Sequence, residues 1–223
     1  MILVIGSEKG GCGKSTLAIN LSVMSVREGI DTLLVDADIQ GSCNEFSQRR
    51  DELDMVPRLQ VMMKHGRNLH RELADLQHRY QRIIVDTGGR DSPELRSSLL
   101  VAHTVLLPVQ PTQLDLWATE KAFQVTSTAQ DLNPQLHTLV VITRAHTNLL
   151  VTTARDAMQF LSEFPHIRLC NTILYERLAW QKSILEGRSV VELRDAKAHT
   201  EMKLLYEEIF DGDVPQVETG SNT

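Results

Sequence analysis

The sequence predicts an α/β protein in which a mainly parallel central β-sheet is flanked by helices on both faces. Short runs of Val, Ile and Leu alternate along the chain with longer segments of helical periodicity. Strands that alternate with helices imply right-handed crossovers and parallel pairing. The chain has 223 residues and shows neither an internal repeat nor a low-complexity linker, which favours a single domain.

The predicted strands are short apolar runs of the kind that a buried parallel sheet contains. The first precedes a glycine-rich turn, and the others follow at intervals that leave room for helices. They cover residues 1–6, 32–36, 82–86, 104–109, 136–143 and 167–173.

The predicted helices lie between these strands and after the last of them. The first begins at Lys14, because Leu17, Leu21 and Met24 recur at helical spacing. The full set covers residues 14–28, 42–50, 67–80, 93–102, 113–132, 149–163, 178–186 and 196–210. Beyond them the chain is polar and acidic, so we predict one domain over residues 1–210 and an acidic, flexible tail over 211–223.

Composition and charge exclude several classes of protein. The net charge of −6 argues against a protein that coats nucleic acid through its overall charge. The three cysteines, Cys12, Cys43 and Cys170, are too widely spaced for a disulfide framework or a zinc motif. The sequence shows neither a signal peptide nor an apolar stretch long enough to span a membrane, so a cytoplasmic location is expected.

A glycine-rich segment at residues 9–16, KGGCGKST, follows an apolar strand and opens a helix, which is the setting that a phosphate-binding loop requires. Glycines let backbone N–H groups surround phosphate oxygens, and the helix N-terminus attracts anions. Lys14 is predicted to face the β and γ phosphates, and the Ser15 hydroxyl to bind Mg²⁺. The predicted nucleotide-binding residues are Gly10, Gly11, Cys12, Gly13, Lys14, Ser15 and Thr16.

Carboxylates stand at the ends of two predicted strands, where magnesium bound to a nucleotide would need them. Asp36 ends the second strand, Asp38 follows two residues later, and Asp86 ends the third strand. Side chains two residues apart in a strand point the same way, so Asp36 and Asp38 are expected to share a side. With Ser15, Asp36 and Asp86 complete the predicted metal site.

The phosphate loop departs from the ordinary pattern, because Glu8 stands where glycine is expected and Lys9 is an additional lysine. The pattern K-G-G-x-G-K-[ST]-[ST] resembles the deviant Walker A motif of the ParA/MinD family of ATPases. Residues 36–41, DADIQG, resemble the family's D-x-D-P-Q-G segment, with Ile39 in place of proline. Residues 108–115 are similar to its P-V-x-P-x-x-x-D segment. Residues 183–190 are similar to the S-I-L-x-G-x-S-V segment of small plasmid-partition ATPases of the ParF type.

The resemblance, which runs from residue 1 to about 210, implies an ATPase that uses ATP and Mg²⁺ and forms a homodimer with ATP. It places Lys9 across the dimer interface on the partner's nucleotide and makes Asp38 the carboxylate that positions water. Lys9, Lys14 and Asp38 are therefore the predicted catalytic residues. Residues 107–115 are expected beside the phosphates and the dimer face.

The leading functional hypothesis is a ParA-type ATPase that binds DNA without sequence preference and partitions a plasmid or chromosome with a centromere-binding adaptor protein. Residues 144–203 contain nine Lys or Arg against seven Asp or Glu, and the DNA-binding candidates Arg177, Lys182 and Arg188 lie there. Binding to DNA would make the protein nucleoid-associated. No Lys or Arg occurs in residues 204–223, so no membrane partner is expected.

Other functions remain open at this point. The same ATP switch could position a conjugation complex, another protein machine or the division site. A metabolic ATP-dependent ligase could use the same fold, although Lys9 together with Asp38 favours a dimeric switch. The cysteines lack the positions expected for a bridging iron–sulfur cluster, which disfavours an iron–sulfur reductase. Arg144 and residues 173–177 are positional candidates for the base pocket.

Overall fold

The computed structural model describes residues 1–89, 91–148 and 150–210. The predicted acidic tail and Leu149, the first residue of one predicted helix, lie outside this part. The strands are β1 (Ile2–Ser7), β2 (Thr32–Ala37), β3 (Gln60–Met63), β4 (Arg82–Gly89), β5 (Thr104–Val109), β6 (His137–Ala145) and β7 (Arg168–Tyr175). The helices are α1 (Lys14–Arg27), α2 (Ser42–Glu52), α3 (Leu69–Leu76), α4 (Pro93–Leu99), α5 (Gln113–Leu132), α6 (Thr153–Leu161), α7 (Leu178–Leu185) and α8 (Ala196–Phe210), with a 3-10 turn at Val190–Glu192.

The strands form one sheet in the order β3-β2-β4-β1-β5-β6-β7, and each neighbouring pair is parallel. The predicted fold class, a single α/β domain around a parallel sheet, is thereby confirmed. The first strand in the chain lies in the middle of the sheet, between β4 and β5. The phosphate loop that follows β1 therefore begins at the centre of the molecule.

Two layers of helices cover the sheet because side chains alternate along each strand. Ile2 and Val4 of β1 point to one face, where they pack with residues of α3, α4, α5 and α6. Leu3 and Ile5 point to the other face, where they pack with residues of α1, α2, α7 and α8. The continuous apolar strands are explained by this double coverage, since both faces are buried.

The edge strand β3 is missing from the sequence prediction. Its residues, QVMM, are exposed or half-buried, because the strand pairs with β2 alone and lies at the border of the sheet. It therefore lacks the buried apolar run by which the other strands are recognised. The 3-10 turn was also not predicted, and β4 continues to Gly89, three residues beyond its predicted end.

Strand register brings the predicted carboxylates to the phosphate loop. Asp36 of β2 pairs with Asp86 of β4, and Asp86 also pairs with Ile5 of β1. These three strands end together at the carboxyl edge of the sheet, where ligands of open parallel sheets bind. None of the helices in the described part of the chain combines the length and the apolarity that crossing a lipid bilayer requires.

Candidate nucleotide-binding site

A cleft of about 840 Å³ opens at the carboxyl edge of the sheet. Its floor is the glycine-rich loop with the first turn of α1, residues 10–17. Its walls come from residues 37–40 after β2, residues 88–89 of β4, and residues 174–184 of β7 and α7. This volume falls in the range of about 300–1,000 Å³ that is typical of sites for small molecules.

The glycine-rich loop has the backbone conformation of an anion-binding loop. Gly11 and Gly13 have φ values of 79° and 96°, in the left-handed region that favours glycine. Gly13 is also the N-cap of α1, so the free N–H groups of the first turn face the cleft. Lys14 is buried, and its Nζ donates to the Lys9 carbonyl oxygen at 3.3 Å. A cation and a set of backbone donors therefore lie at one point of the cleft.

The carboxylates of Asp36 and Asp86 lie beneath this loop, together with a thiol. Asp36 accepts hydrogen bonds from the backbone N–H groups of Asn44 at 2.9 Å and Asp38 at 3.3 Å. Cys43 donates from Sγ to Asp86 Oδ2 at 3.2 Å. One ligand atom from each of Asp36, Cys43 and Asp86 lies within 4.8 Å of the other two, and all three residues are fully buried.

Burial sets the protonation of these groups. It raises the pKa of Asp86 to about 6, although interactions with Ser15, Cys43 and Lys14 act in the opposite direction. It also raises the pKa of Asp36. The Cys43 thiol has a pKa well above its ordinary value, because it is buried and lies beside both carboxylates.

A cation would compensate the buried negative charge. Among the described residues, Asp86 Oδ1 has no hydrogen-bond partner, which is costly for a buried oxygen. Ser15 lines the cleft above it and interacts with the same carboxylate. A hydroxyl and two carboxylates form the oxygen-rich donor set that Mg²⁺ prefers. Ser15, Asp36 and Asp86 therefore fit the magnesium ion that the family resemblance implies.

Asp38 lies on the wall of the cleft. Its Oδ1 accepts a hydrogen bond from the backbone N–H of Gln40 at 3.0 Å. A Cβ placed on Gly88 would be 3.7 Å from the Asp38 carboxyl carbon, so the end of β4 passes close to this side chain. The position suits a group that acts on a ligand in the cleft, and the water-positioning role of Asp38 stays a prediction.

Lys9 points away from the cleft in the single chain. Its Nζ forms an ion pair with Asp115 Oδ1 at 2.9 Å, at the start of α5, and its side chain is 40% exposed. Asp115 also accepts a hydrogen bond from the Thr112 hydroxyl. Lys9 therefore contacts another part of its own chain at the rim of the loop, where a second molecule could reach it.

The far wall of the cleft contains the positional candidates for the base pocket. Arg144 has a φ of 54°, which is uncommon outside glycine, and its Nη1 donates to the Gly11 carbonyl oxygen at 2.9 Å. Tyr175 and Trp180 line the same wall, and the indole N–H of Trp180 donates to the Tyr175 carbonyl oxygen at 2.9 Å. Contact of Arg144 and Tyr175 with adenine stays a prediction, and Trp180 is a neighbour that the sequence did not indicate.

The three DNA-binding candidates do not form one uniform basic patch. Arg177 is only 18% exposed, lines the cleft, and pairs with Glu201 at 2.5 Å. Lys182 and Arg188 are more exposed, and both lie near Glu186, at 3.6 Å and 3.7 Å. Lys182 and Arg188 are therefore accessible for contact with DNA, whereas Arg177 is largely buried and paired with Glu201.

Sequence reasoning missed two contacts at the site. Asp115 was expected near the phosphates, but its ion pair with Lys9 was not predicted. The hydrogen bond from Cys43 to Asp86 was not predicted either, and Cys43 was given no role. Both contacts join segments that are far apart in the chain. The signal for Cys43 was present in its position shortly after the DADIQG segment, at the start of the predicted helix 42–50.

The fold and the loop define a P-loop nucleotide-binding protein. The chain belongs to the CobQ/CobB/MinD/ParA nucleotide binding domain family, whose profile matches residues 3–190. This match confirms the ParA/MinD resemblance inferred from the motifs.

Individual relatives match over nearly the whole chain. The maintenance of carboxysome distribution protein A of Halothiobacillus neapolitanus is 27% identical over 215 residues, which are 93% of this chain and 95% of that protein. The cell division ATPase MinD of Pyrococcus furiosus has a TM-score of 0.74 at 23% identity, over 94% of this chain and 98% of that one. A plasmid partition protein of Borrelia burgdorferi, solved with AMPPNP, has a TM-score of 0.71 at 22% identity, over 96% and 99%.

Proposed function

We propose that this chain is an ATP-driven positioning switch that dimerises around two ATP molecules, binds DNA without sequence preference and hydrolyses ATP slowly. In this proposal it partitions a plasmid or chromosome together with a centromere-binding adaptor protein. The observation that carries the proposal is the pair of lysines in one loop. Lys14 is buried inside the phosphate-binding loop, whereas Lys9 lies at the rim, on Asp115.

In the proposed function each group has a separate task. The backbone N–H groups of the loop and Lys14 bind the phosphates, and Lys14 offsets charge on the γ phosphate. Ser15, Asp36 and Asp86 would hold a magnesium ion, which when bound would add positive charge beside the phosphate oxygens. Asp38 orients the attacking water from the side wall.

Lys9 provides the step that depends on dimerisation. Its ion pair with Asp115 keeps the ammonium group out of its own cleft. In the dimer, Lys9 would leave Asp115 and reach the phosphates bound by the partner, where it stabilises charge that develops during transfer. Hydrolysis would therefore be slow in a monomer and would require two ATP-bound chains.

The test replaces Lys9 and measures dimerisation and hydrolysis together. Lys9→Ala should bind ATP with nearly unchanged affinity, remain monomeric with ATP by light scattering, and lose most of its ATP turnover. Lys64→Ala is the matched control, because Lys64 is 41% exposed and forms an ion pair of 2.9 Å with Glu72, compared with 40% and 2.9 Å for Lys9. Normal dimers and turnover in Lys9→Ala would refute the proposal.

A second candidate cargo is a protein body rather than DNA. It is supported by the similarity to the carboxysome distribution protein, which extends over 93% of this chain. Both candidates share the ATP switch, so the cargo separates them. Deleting the gene should cause plasmid or chromosome loss under the first candidate, and mislocalised protein bodies with stable DNA inheritance under the second.

A further inference from the structure

The buried thiol of Cys43 gives the site a ligand that magnesium does not need. Magnesium takes oxygen ligands in octahedral geometry, and a sulfur atom is a poor ligand for it. The N-terminal turn of α2 nevertheless places Cys43 between the ends of β2 and β4, where Sγ meets Asp86 Oδ2 at 3.2 Å.

We propose that Asp36, Cys43 and Asp86 form a binding site for a thiophilic divalent cation such as Zn²⁺ in the nucleotide-free chain. Zinc binds thiolate at about 2.3 Å and carboxylate oxygen at about 2.0–2.2 Å, usually in tetrahedral geometry. A thiolate sulfur and a carboxylate oxygen bound to one tetrahedral ion are about 3.5–3.7 Å apart. The 3.2 Å between Cys43 Sγ and Asp86 Oδ2 is already close to that separation, and the Asp36 ligand atom lies within 4.8 Å of both.

The buried oxygen that fits magnesium in the nucleotide-bound protein also points to a cation at this place in the nucleotide-free chain. Asp86 Oδ1 belongs to a fully buried side chain and lacks a hydrogen-bond partner among the described residues. Hydrogen bonding within the chain thus leaves one oxygen of the carboxylate free to bind an ion. When the ion binds, the Cys43 proton is released to solvent, and the thiolate with two carboxylates surrounds the dication.

Ser15 joins the buried cluster to the cleft. Ser15 lines the cleft and also interacts with Asp86, so a cation can enter from the cleft past this hydroxyl. Three protein ligands with an open fourth position for water are the usual arrangement of an exchangeable zinc site.

Cobalt(II) provides a direct readout of the thiolate ligand. We expect the nucleotide-free, untagged full chain to bind one Co²⁺ and to develop the near-ultraviolet charge-transfer band of a thiolate-bound cobalt ion. Cys43→Ser should lose this band and bind Co²⁺ at least about tenfold more weakly, since a ligand is removed. Asp86→Asn should weaken binding by a similar factor.

The matched control is Cys170→Ser, because Cys170 is also buried but lies on β7, outside the cluster. This variant should keep both the band and the affinity. Melting curves without metal establish that each variant is folded, and Cys43→Ala replaces Cys43→Ser if the serine variant is unfolded. A band that survives in the folded Cys43 variant, or no thiolate band in the wild type, would overturn the proposal.

Zinc at this place would also interfere with the binding of Mg²⁺–ATP. This consequence rests on the proposed function, whereas the cobalt test is independent of it. Asp36 and Asp86 are the carboxylates proposed for magnesium, so Zn²⁺ should weaken binding of Mg²⁺–ATP in the wild type. The effect should be at least about tenfold smaller in Cys43→Ser. Equal weakening in both proteins would exclude Cys43 as the zinc ligand that competes with magnesium.

Discussion

At the scale of single residues, the groups proposed to bind phosphate lie apart from the carboxylate proposed to position water. Asp38 stands on the side wall, and its carboxylate is held by the backbone N–H of Gln40. The proposed phosphate contacts come instead from the loop and Lys14. Removal of Asp38 should therefore affect turnover much more than affinity.

We expect Asp38→Ala to bind ATP and to dimerise with ATP, while hydrolysing it about 100-fold more slowly than the wild type. Single-turnover hydrolysis measures the chemical step, and calorimetry measures the affinity. Asp131→Ala, which removes an exposed carboxylate of α5, should behave as the wild type. If Asp38→Ala retained full turnover, the side-wall carboxylate would have no part in the reaction.

The buried carboxylate of Asp86 should reduce stability at neutral pH. Burial raises its pKa from 3.8 to about 6, so the folded chain binds this proton more tightly than the unfolded chain. The stabilising effect of that proton is present below about pH 4 and is lost as pH rises to about 6. Asp86→Asn, which cannot ionise, should therefore be more stable than the wild type at pH 7, by up to about 3 kcal/mol.

Urea unfolding of the nucleotide-free chain at pH 5 and pH 7 measures this effect. The difference between Asp86→Asn and wild type should grow with pH over that interval. Added Mg²⁺–ATP should stabilise the wild type and have a smaller effect on the variant, because a proposed magnesium ligand is missing. A stability difference that is independent of pH would show that Asp86 is not the titrating group.

At the scale of elements, a buried ion pair joins α2 to the 3-10 turn at Val190–Glu192. Arg50 is fully buried, and it donates to Glu192 at 2.8 Å and 2.9 Å and to the Gly187 carbonyl oxygen at 3.0 Å. Burial alone would raise the pKa of Glu192, but its hydrogen bonds and charge interaction with Arg50 lower it. The helix that carries Cys43 is thereby anchored to the segment that follows α7.

Glu192→Ala should destabilise the chain by about 3–5 kcal/mol, because it leaves the buried positive charge of Arg50 without a negative charge beside it. Thermal and urea unfolding measure the loss. Glu207→Ala removes a carboxylate from an exposed pair with Lys203 at 3.6 Å and should cost less than about 1 kcal/mol. Similar losses in the two variants would mean that the buried pair adds no more stability than a surface pair.

How far the sequence predicts the elements depends on how completely each one is buried. β1, β2 and β5 are buried throughout, and their apolar runs give nearly the observed bounds. β3 was not predicted, because an edge strand with exposed residues has no such run. The positions of the P-loop, Asp36 and Asp86 could be predicted, because the carboxyl ends of parallel strands meet at one edge of the sheet. The ion pairs Lys9–Asp115 and Arg50–Glu192 could not, since only the tertiary structure brings their segments together.

At the scale of the whole molecule, the proposed binding to DNA has to come from a local surface, because the chain carries a net charge of −6. Lys182 and Arg188 are the accessible candidates, with exposed fractions of 63% and 44%. A two-fold dimer presents each of them twice and doubles the number of DNA phosphates that they can neutralise.

We expect ATP-bound protein, but not ADP-bound protein, to bind random duplexes with a steep salt dependence. The double variant Lys182→Ala, Arg188→Ala should bind DNA more weakly. The slope of the logarithm of the binding constant against the logarithm of the salt concentration should become less steep by about one unit for each DNA phosphate that is no longer neutralised. Fluorescence anisotropy measures both. Arg58→Ala is the control, because Arg58 is 80% exposed and precedes β3, at the sheet edge opposite β7. Equal binding with ADP, or an unchanged slope in the double variant, would contradict the model of DNA binding.

The central place of β1 has a consequence for how the chain is made. β1 leaves the ribosome before any other strand of the described sheet, yet its two neighbours begin only at residues 82 and 104. At about 5–20 residues per second, translation needs on the order of 5–20 seconds to supply both neighbours. Until β4 is synthesised the run Ile2–Ile5 has no strand on either side, and until β5 follows it has only one, so the nascent chain exposes a segment suited to chaperone binding. The phosphate loop precedes both of these strands in the chain, so it can acquire its final shape only after residues up to about 109 have been synthesised.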